Sequence, residues 1–131
     1  MYCSDGSANI YVLDGETMQV IDTIRVFDPV TNKSVRRINE LEWVNGFIYA
    51  NVWYKDILLK IDPNDGEIVQ QWDLTPLMKA EKSYQTTKLG RYKGDCLNGI
   101  AYDPTTESFY LTGKEYHLVF KVKLISSNSD F

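Results

Sequence analysis

The chain has 131 residues, 44% hydrophobic and 24% charged, with a formal net charge of −4, the balance of one folded globular domain. No broad cationic field gathers phosphates, and Arg36-Arg37 is the only adjacent basic pair, so nucleic acid is not an expected partner. No run of about 18 apolar residues is present and Met1-Tyr2-Cys3-Ser4-Asp5-Gly6 carries no basic or apolar leader, so neither a membrane partner nor a signal peptide is expected in this chain. Three Trp, nine Tyr and five Phe favour sheet surfaces over helix bundles. Cys3 and Cys96 lack the close spacing of zinc or redox motifs and are expected to be unpaired, mostly buried thiols.

In chain order, the first run, Met1 to Gly6, continues into Asn9-Ile10-Tyr11-Val12-Leu13-Asp14. A turn at Asp14-Gly15-Glu16-Thr17 then leads to a third run at residues 19–26. Alternating runs joined by Asp, Gly and Asn connections predict antiparallel hairpins. The second unit opens with Leu41-Glu42-Trp43-Val44 before Asn45-Gly46. It proceeds through Ile48-Tyr49-Ala50-Asn51-Val52-Trp53 and Ile57-Leu58-Leu59-Lys60-Ile61-Asp62, turns at Asp62-Pro63-Asn64-Asp65-Gly66, and ends in a strand at 67–73. One short helix is predicted at about 75–83, with Thr75 as N-cap and Pro76 at the first helical position. The third unit reads Asn98-Gly99-Ile100-Ala101-Tyr102-Asp103, then Phe109-Tyr110-Leu111-Thr112-Gly113-Lys114, then Leu118-Val119-Phe120-Lys121-Val122.

The runs that begin at Met1, Ile48 and Phe109 share an aromatic second position and a small or polar fourth one. Meanders recurring about every 40–50 residues predict an all-β fold of β-propeller type, with blade units at about 1–27, 40–73 and 97–124. The expected strands number ten, about two and a half four-stranded blades, fewer than a closed ring of about four or more blades requires. The chain therefore reads as a C-terminal piece of a longer propeller, with a Ser/Asn tail at 126–129. Its uncovered sheet faces are expected to drive self-association.

On these residues the chain resembles the plant-type glutaminyl-peptide cyclotransferases (glutamine cyclotransferases). The resemblance is carried by Ser4-Asp5-Gly6-Ser7, by the block from Asn39-Glu40-Leu41-Glu42-Trp43 through Ala50-Asn51-Val52-Trp53, by Leu97 to Asp103, and by Leu111-Thr112-Gly113-Lys114. It implies a five-bladed propeller and an enzyme that converts the N-terminal glutaminyl residue of a peptide or protein into pyroglutamate with release of ammonia. It implies no metal and no cofactor. Carried over residue by residue, it makes Asn39 a polar contact to the substrate amide, Trp53 a wall of the central pocket, and Lys114 a partner at the reacting carbonyl. Asn39 and Lys114 are thus the expected catalytic residues, with Asn39 and Trp53 binding substrate. The family's amine-binding glutamate belongs to earlier blades, and the resemblance gives that role to neither Glu40 nor Glu42.

The side-chain chemistry is compatible with those roles, since Asn donates and accepts at once and Lys can stabilise an oxyanion or transfer a proton. Trp43 and Trp72 read as packing aromatics. His117 is the single histidine, expected in a strand beside Tyr116, and one histidine makes no multi-histidine metal site. The Asp62 to Gly66 segment departs from a calcium loop in the placing of its glycine and closing acid, and reads as a hairpin turn. Asn32-Lys33-Ser34 is a glycosylation sequon and, with the family resemblance, leans towards a secretory or extracellular location. The competing readings are a propeller that kept its blades as a binding or scaffold module without chemistry, and, on fold analogy alone, a metal-dependent lactonase.

Overall fold

The computed structural model describes residues 1–126; the Ser/Asn tail beyond Ser126 lies outside the described residues. Among the described residues, ten strands form three antiparallel meanders. The first sheet joins β1 (Tyr2–Ser4), β2 (Asn9–Leu13) and β3 (Val20–Arg25). The second joins β4 (Ile38–Val44), β5 (Phe47–Val52), β6 (Ile57–Ile61) and β7 (Ile68–Asp73). After helix α1 (Thr75–Leu89), the third joins β8 (Leu97–Asp103), β9 (Ser108–Gly113) and β10 (Phe120–Val122).

Local chemistry fixes the hairpins. Asn45 and Gly46 take φ of 49° and 87°, the two positive angles that match the twist of a two-residue hairpin. Asp14 accepts the Glu16 and Thr17 amides, Asp62 the Asn64 amide and Asp103 the Thr105 amide, so each turn satisfies its own backbone.

The middle sheet is covered on both faces. Ile48, Ala50 and Val52 of β5 and Leu59 and Ile61 of β6 pack with Ile10, Ile24 and Val26 of the first sheet's side. Tyr49 and Leu58, pointing the other way, pack with Leu97, Ile100, Phe109 and Leu111 of the third. The period of two therefore divides one strand between two cores. Each fully buried aliphatic side chain there contributes roughly 1.5–3 kcal/mol.

Two sheets also meet through backbone. The Phe27 amide donates to Gly66 O at 3.1 Å and the Ile68 amide to Phe27 O at 3.0 Å. Gly66 has φ +84°, and a Cβ there would lie 2.0 Å from Arg25 O, so this crossing admits only glycine.

Several sequence expectations need correcting. The helix runs to Leu89 rather than stopping near residue 83, and ends on Gly90 in the left-handed conformation. Its second half has no apolar period because the side chains it buries are Glu81 and Gln85. Thr75 is not the N-cap: Leu74 occupies that position, and the Thr75 amide donates to the Asp73 carboxylate at 2.9 Å. Asp73 thus accepts the first amide of the helix, and the Leu74 N-cap makes no side-chain capping bond. His117 lies in the turn between β9 and β10 rather than in a strand. The thiols are unpaired, but Cys3 is exposed while Cys96 is buried. Trp43 is half exposed and stacks on Tyr2 at 5.4 Å; Trp72 stacks on Tyr49 at 5.9 Å and donates its indole N–H to Ile125 O.

Candidate functional site

Strands β1, β5 and β9 occupy equivalent places, and their C-terminal ends lead to one hollow of about 210 Å³ lined by Ser4, Asp5, Gly6, Asn39, Trp53 and Lys114. Gly6 lies two residues past β1, and Trp53 and Lys114 immediately follow β5 and β9. Their backbones are pinned alike: the Trp53 amide donates to Arg37 O at 2.8 Å and the Lys114 amide to Cys96 O at 2.9 Å. Each is followed by a non-glycine residue in the left-handed region, Tyr54 and Glu115, both with φ 61°. Such a conformation costs on the order of 1–3 kcal/mol and persists only where surroundings hold it.

Asn39 enters from β4 through a bulge. Ile38 pairs with Val52 and Leu41 with Ala50, so Asn39 and Glu40 together face the single residue Asn51. The same bulge recurs in β8, where Leu97 pairs with Gly113 and Ile100 with Leu111, leaving Asn98 and Gly99 opposite Thr112. Side chains latch each bulge to the preceding sheet. Ser4 Oγ donates to Asn39 O at 2.5 Å, and the buried Asn51 side-chain oxygen accepts from the Gly99 amide at 3.1 Å. Ser4 and Asn51 hold equivalent places in their units, two residues before Gly6 and Trp53.

The structure brings the three residues singled out in the sequence, Asn39, Trp53 and Lys114, to one place from two separate sheets. Trp53 is 39% exposed and Lys114 is exposed, so both present their side chains to an incoming molecule. Lys114 Nζ lies 5.5 Å from the Trp53 ring centroid, within cation–π range, and Tyr54 stacks on the indole at 4.8 Å. Glu40 and Glu42 do not line the hollow.

Two features escaped the candidate set drawn from the sequence. Asp5 adds an anion to the wall; hydrogen bonds from the Ser7 hydroxyl and amide and from the Tyr11 hydroxyl hold its carboxyl below the usual aspartate range. Its signal was present in Ser4-Asp5-Gly6-Ser7, as an acid beside the glycine equivalent to Trp53. The second is Glu81, which is fully buried on α1 and accepts the amides of His117 and Leu118 at 2.8 and 2.9 Å. Gln85, also fully buried, donates to Glu81 Oε1 at 2.7 Å and to Glu115 O at 2.9 Å. Nothing in the local sequence marks either residue, because a polar pair four apart on a helix reads as solvated surface.

Chemically, the hollow joins an amide that donates and accepts, a cation with three donors, an anionic acceptor and a flat apolar wall. That set suits a small polar group containing an amide. Among the described residues, no group of three or more His, Cys, Asp or Glu side chains converges to hold a metal ion.

A profile of the glutamine cyclotransferase family matches residues 1–124. Over 124 residues the chain is 34% identical to a glutaminyl-peptide cyclotransferase from Arabidopsis thaliana, covering 95% of this chain and 37% of that protein. Its fold is similar to the crystal structure of Myxococcus xanthus glutaminyl cyclase, with a TM-score of 0.81 and 30% identity over 93% of this chain and 50% of that one. The chain thus spans half or less of the length of these relatives. With the family profile matched across almost its whole length, and a solved relative sharing its arrangement of sheets, this chain belongs to the glutamine cyclotransferase family.

Proposed function

We propose that the chain is part of an enzyme that cyclises the N-terminal glutaminyl residue of a peptide or protein to pyroglutamate, and that its three sheets are blades of a propeller with the hollow at its inner end. The observation that carries this reading is the meeting of Asn39, Trp53 and Lys114 in one hollow, in a chain of the glutamine cyclotransferase family.

In the proposed reaction the free α-amine attacks the side-chain amide carbon, forming the ring C–N bond and placing negative charge on the carbonyl oxygen. The C–NH2 bond then breaks, the α-nitrogen loses a proton, and the leaving nitrogen gains one and departs as ammonia. Lys114 would donate to the developing oxyanion, where a preorganised donor acts mainly in the transition state. Asn39 would hold the amide in its reactive orientation, and the exposed face of Trp53 would cover the folded side chain, converting the attack into a positioned intramolecular step.

The test is ammonia release from a glutamine-first peptide, with an asparagine-first peptide as control, for this chain and for the longer protein containing it. Release from the glutamine peptide alone supports the reading. Release from neither peptide by the longer protein overturns it in favour of a binding module.

A secretory location is part of the same reading. It is supported by the exposure of Asn32 in the Asn32-Lys33-Ser34 sequon. Expression through a eukaryotic secretory route is expected to add a glycosidase-sensitive mass that Asn32→Gln removes.

A further inference from the structure

We propose that Glu81 is a positioning residue for Lys114. Its buried carboxylate holds the turn after β9 so that the ammonium stays over the Trp53 ring; this role in catalysis rests on the functional reading above.

Within its own hairpin the turn is tied by the Thr112 hydroxyl, which donates to Leu118 O at 2.9 Å, and by one backbone amide. Lys114 begins it, Glu115 has φ 61°, and the Tyr116 amide reaches back to Gly113 O at 3.2 Å. The strand pairing resumes only at Phe120, opposite Leu111. Helix α1 grips the intervening backbone at three points: Gln85 donates to Glu115 O, and Glu81 accepts from His117 and Leu118. On the other side Gln85 accepts the Lys93 amide at 2.8 Å, so the same pair fixes the segment that leads into β8. That segment pins Lys114 itself, through Cys96 O and the Asp95 amide, which donates to Lys114 O at 2.9 Å.

A fully buried carboxylate is tolerated only when its oxygens are supplied with donors, and here three N–H groups supply them. Loss of this acceptor would strand two turn amides, and the inexpensive remedy is for an exposed turn to swing outward to water. Because the turn starts at Lys114, that movement would carry the ammonium away from Trp53. Glu81 does not line the hollow, and its effect on the reaction is expected to pass through Lys114.

In Glu81→Gln the side-chain amide would present a donor where an amide N–H now finds an acceptor. By nuclear magnetic resonance, the Lys114 ε-methylene protons of the native chain are expected upfield, displaced by the Trp53 ring current, and assigned by their absence in Lys114→Met. Glu81→Gln is expected to abolish that displacement and to speed amide exchange at His117 and Leu118 while circular dichroism stays native. Should Glu81→Gln fail to fold, His117→Pro removes one donor of the same tie in an exposed turn and is expected to give the same shift. Retention of the upfield displacement in the folded variant would overturn the proposal, and this readout needs no activity. Should ammonia release be detected, Glu81→Gln is expected to lower kcat about 10-fold or more with KM little changed, and to add no loss in the Lys114→Met background. An equal loss in both backgrounds would mark Glu81 as a purely structural residue and overturn the proposal.

Discussion

Lys114 Nζ stands 5.5 Å from the centre of the Trp53 ring, although the two residues follow strands of different sheets. Both side chains project from the same place in their units. At an exposed site such a pair is worth about 0.5–1 kcal/mol, too little to explain the arrangement by stability. Lys114→Met is therefore expected to change the free energy of unfolding by less than about 1 kcal/mol. Removal of one donor to a developing oxyanion is expected to lower turnover of a glutaminyl peptide about 10²–10³-fold in the active protein. Denaturant unfolding and ammonia release measured side by side check both; unchanged turnover would take Lys114 out of the reaction.

The Asn51 side chain bears on stability differently. It is 1% exposed and its oxygen accepts the Gly99 amide of the neighbouring sheet. Asn51→Leu, similar in volume, leaves that amide without its partner, and about 1–3 kcal/mol of stability should be lost. Urea titration of the two proteins reads the difference, and a midpoint as high as the native one would show that the latch contributes nothing.

Gly66→Ala tests the crossing between the first and second sheets. The added Cβ would meet Arg25 O at 2.0 Å in backbone with φ +84°, so strain from contact and conformation adds up. A loss of at least about 1–3 kcal/mol is expected, with a lowered melting temperature. Gly15, where an added Cβ would meet nothing within 4 Å and no positive φ is required, is the control position at which alanine should be nearly neutral.

Acid should weaken the turns in a defined direction. The amides of Thr17 and Glu16 lower the Asp14 pKa, the hydroxyl and amide of Thr75 lower that of Asp73, and the Thr106 hydroxyl and Thr105 amide lower that of Asp103. Asp5 is lowered in the same way by Ser7. Since these folded-state values lie below the ordinary 3.8, the unfolded chain binds protons first as pH falls. The stability they contribute is complete above the usual aspartate range and is lost as pH drops through the lowered values. Unfolding free energies measured from pH 6 down to about pH 2 should therefore decline below about pH 4; a rise in that window would contradict the assignment.

The sheets were legible because their information is local. Asn45-Gly46, Asp14-Gly15 and Asp62 to Gly66 carry turn chemistry that acts within a few residues, and alternation between them marks the strands. Gly6, Trp53 and Lys114 are each the sixth residue of the runs that begin at Met1, Ile48 and Phe109, and equivalent positions in stacked meanders share an end.

What the sequence could not express were relations across sheets. It determined three antiparallel meanders and the family block around Asn39, because turn propensity, period and residue order are properties of the chain itself. The tertiary structure alone decided that β5 divides between two cores, that Asn51 latches the Gly99 bulge, and that helix α1 runs on through a polar stretch to bury Glu81 and Gln85 against the Lys114 turn. Buried polar groups are stable only where partners distant in sequence satisfy them, and those partners exist only once the chain has folded.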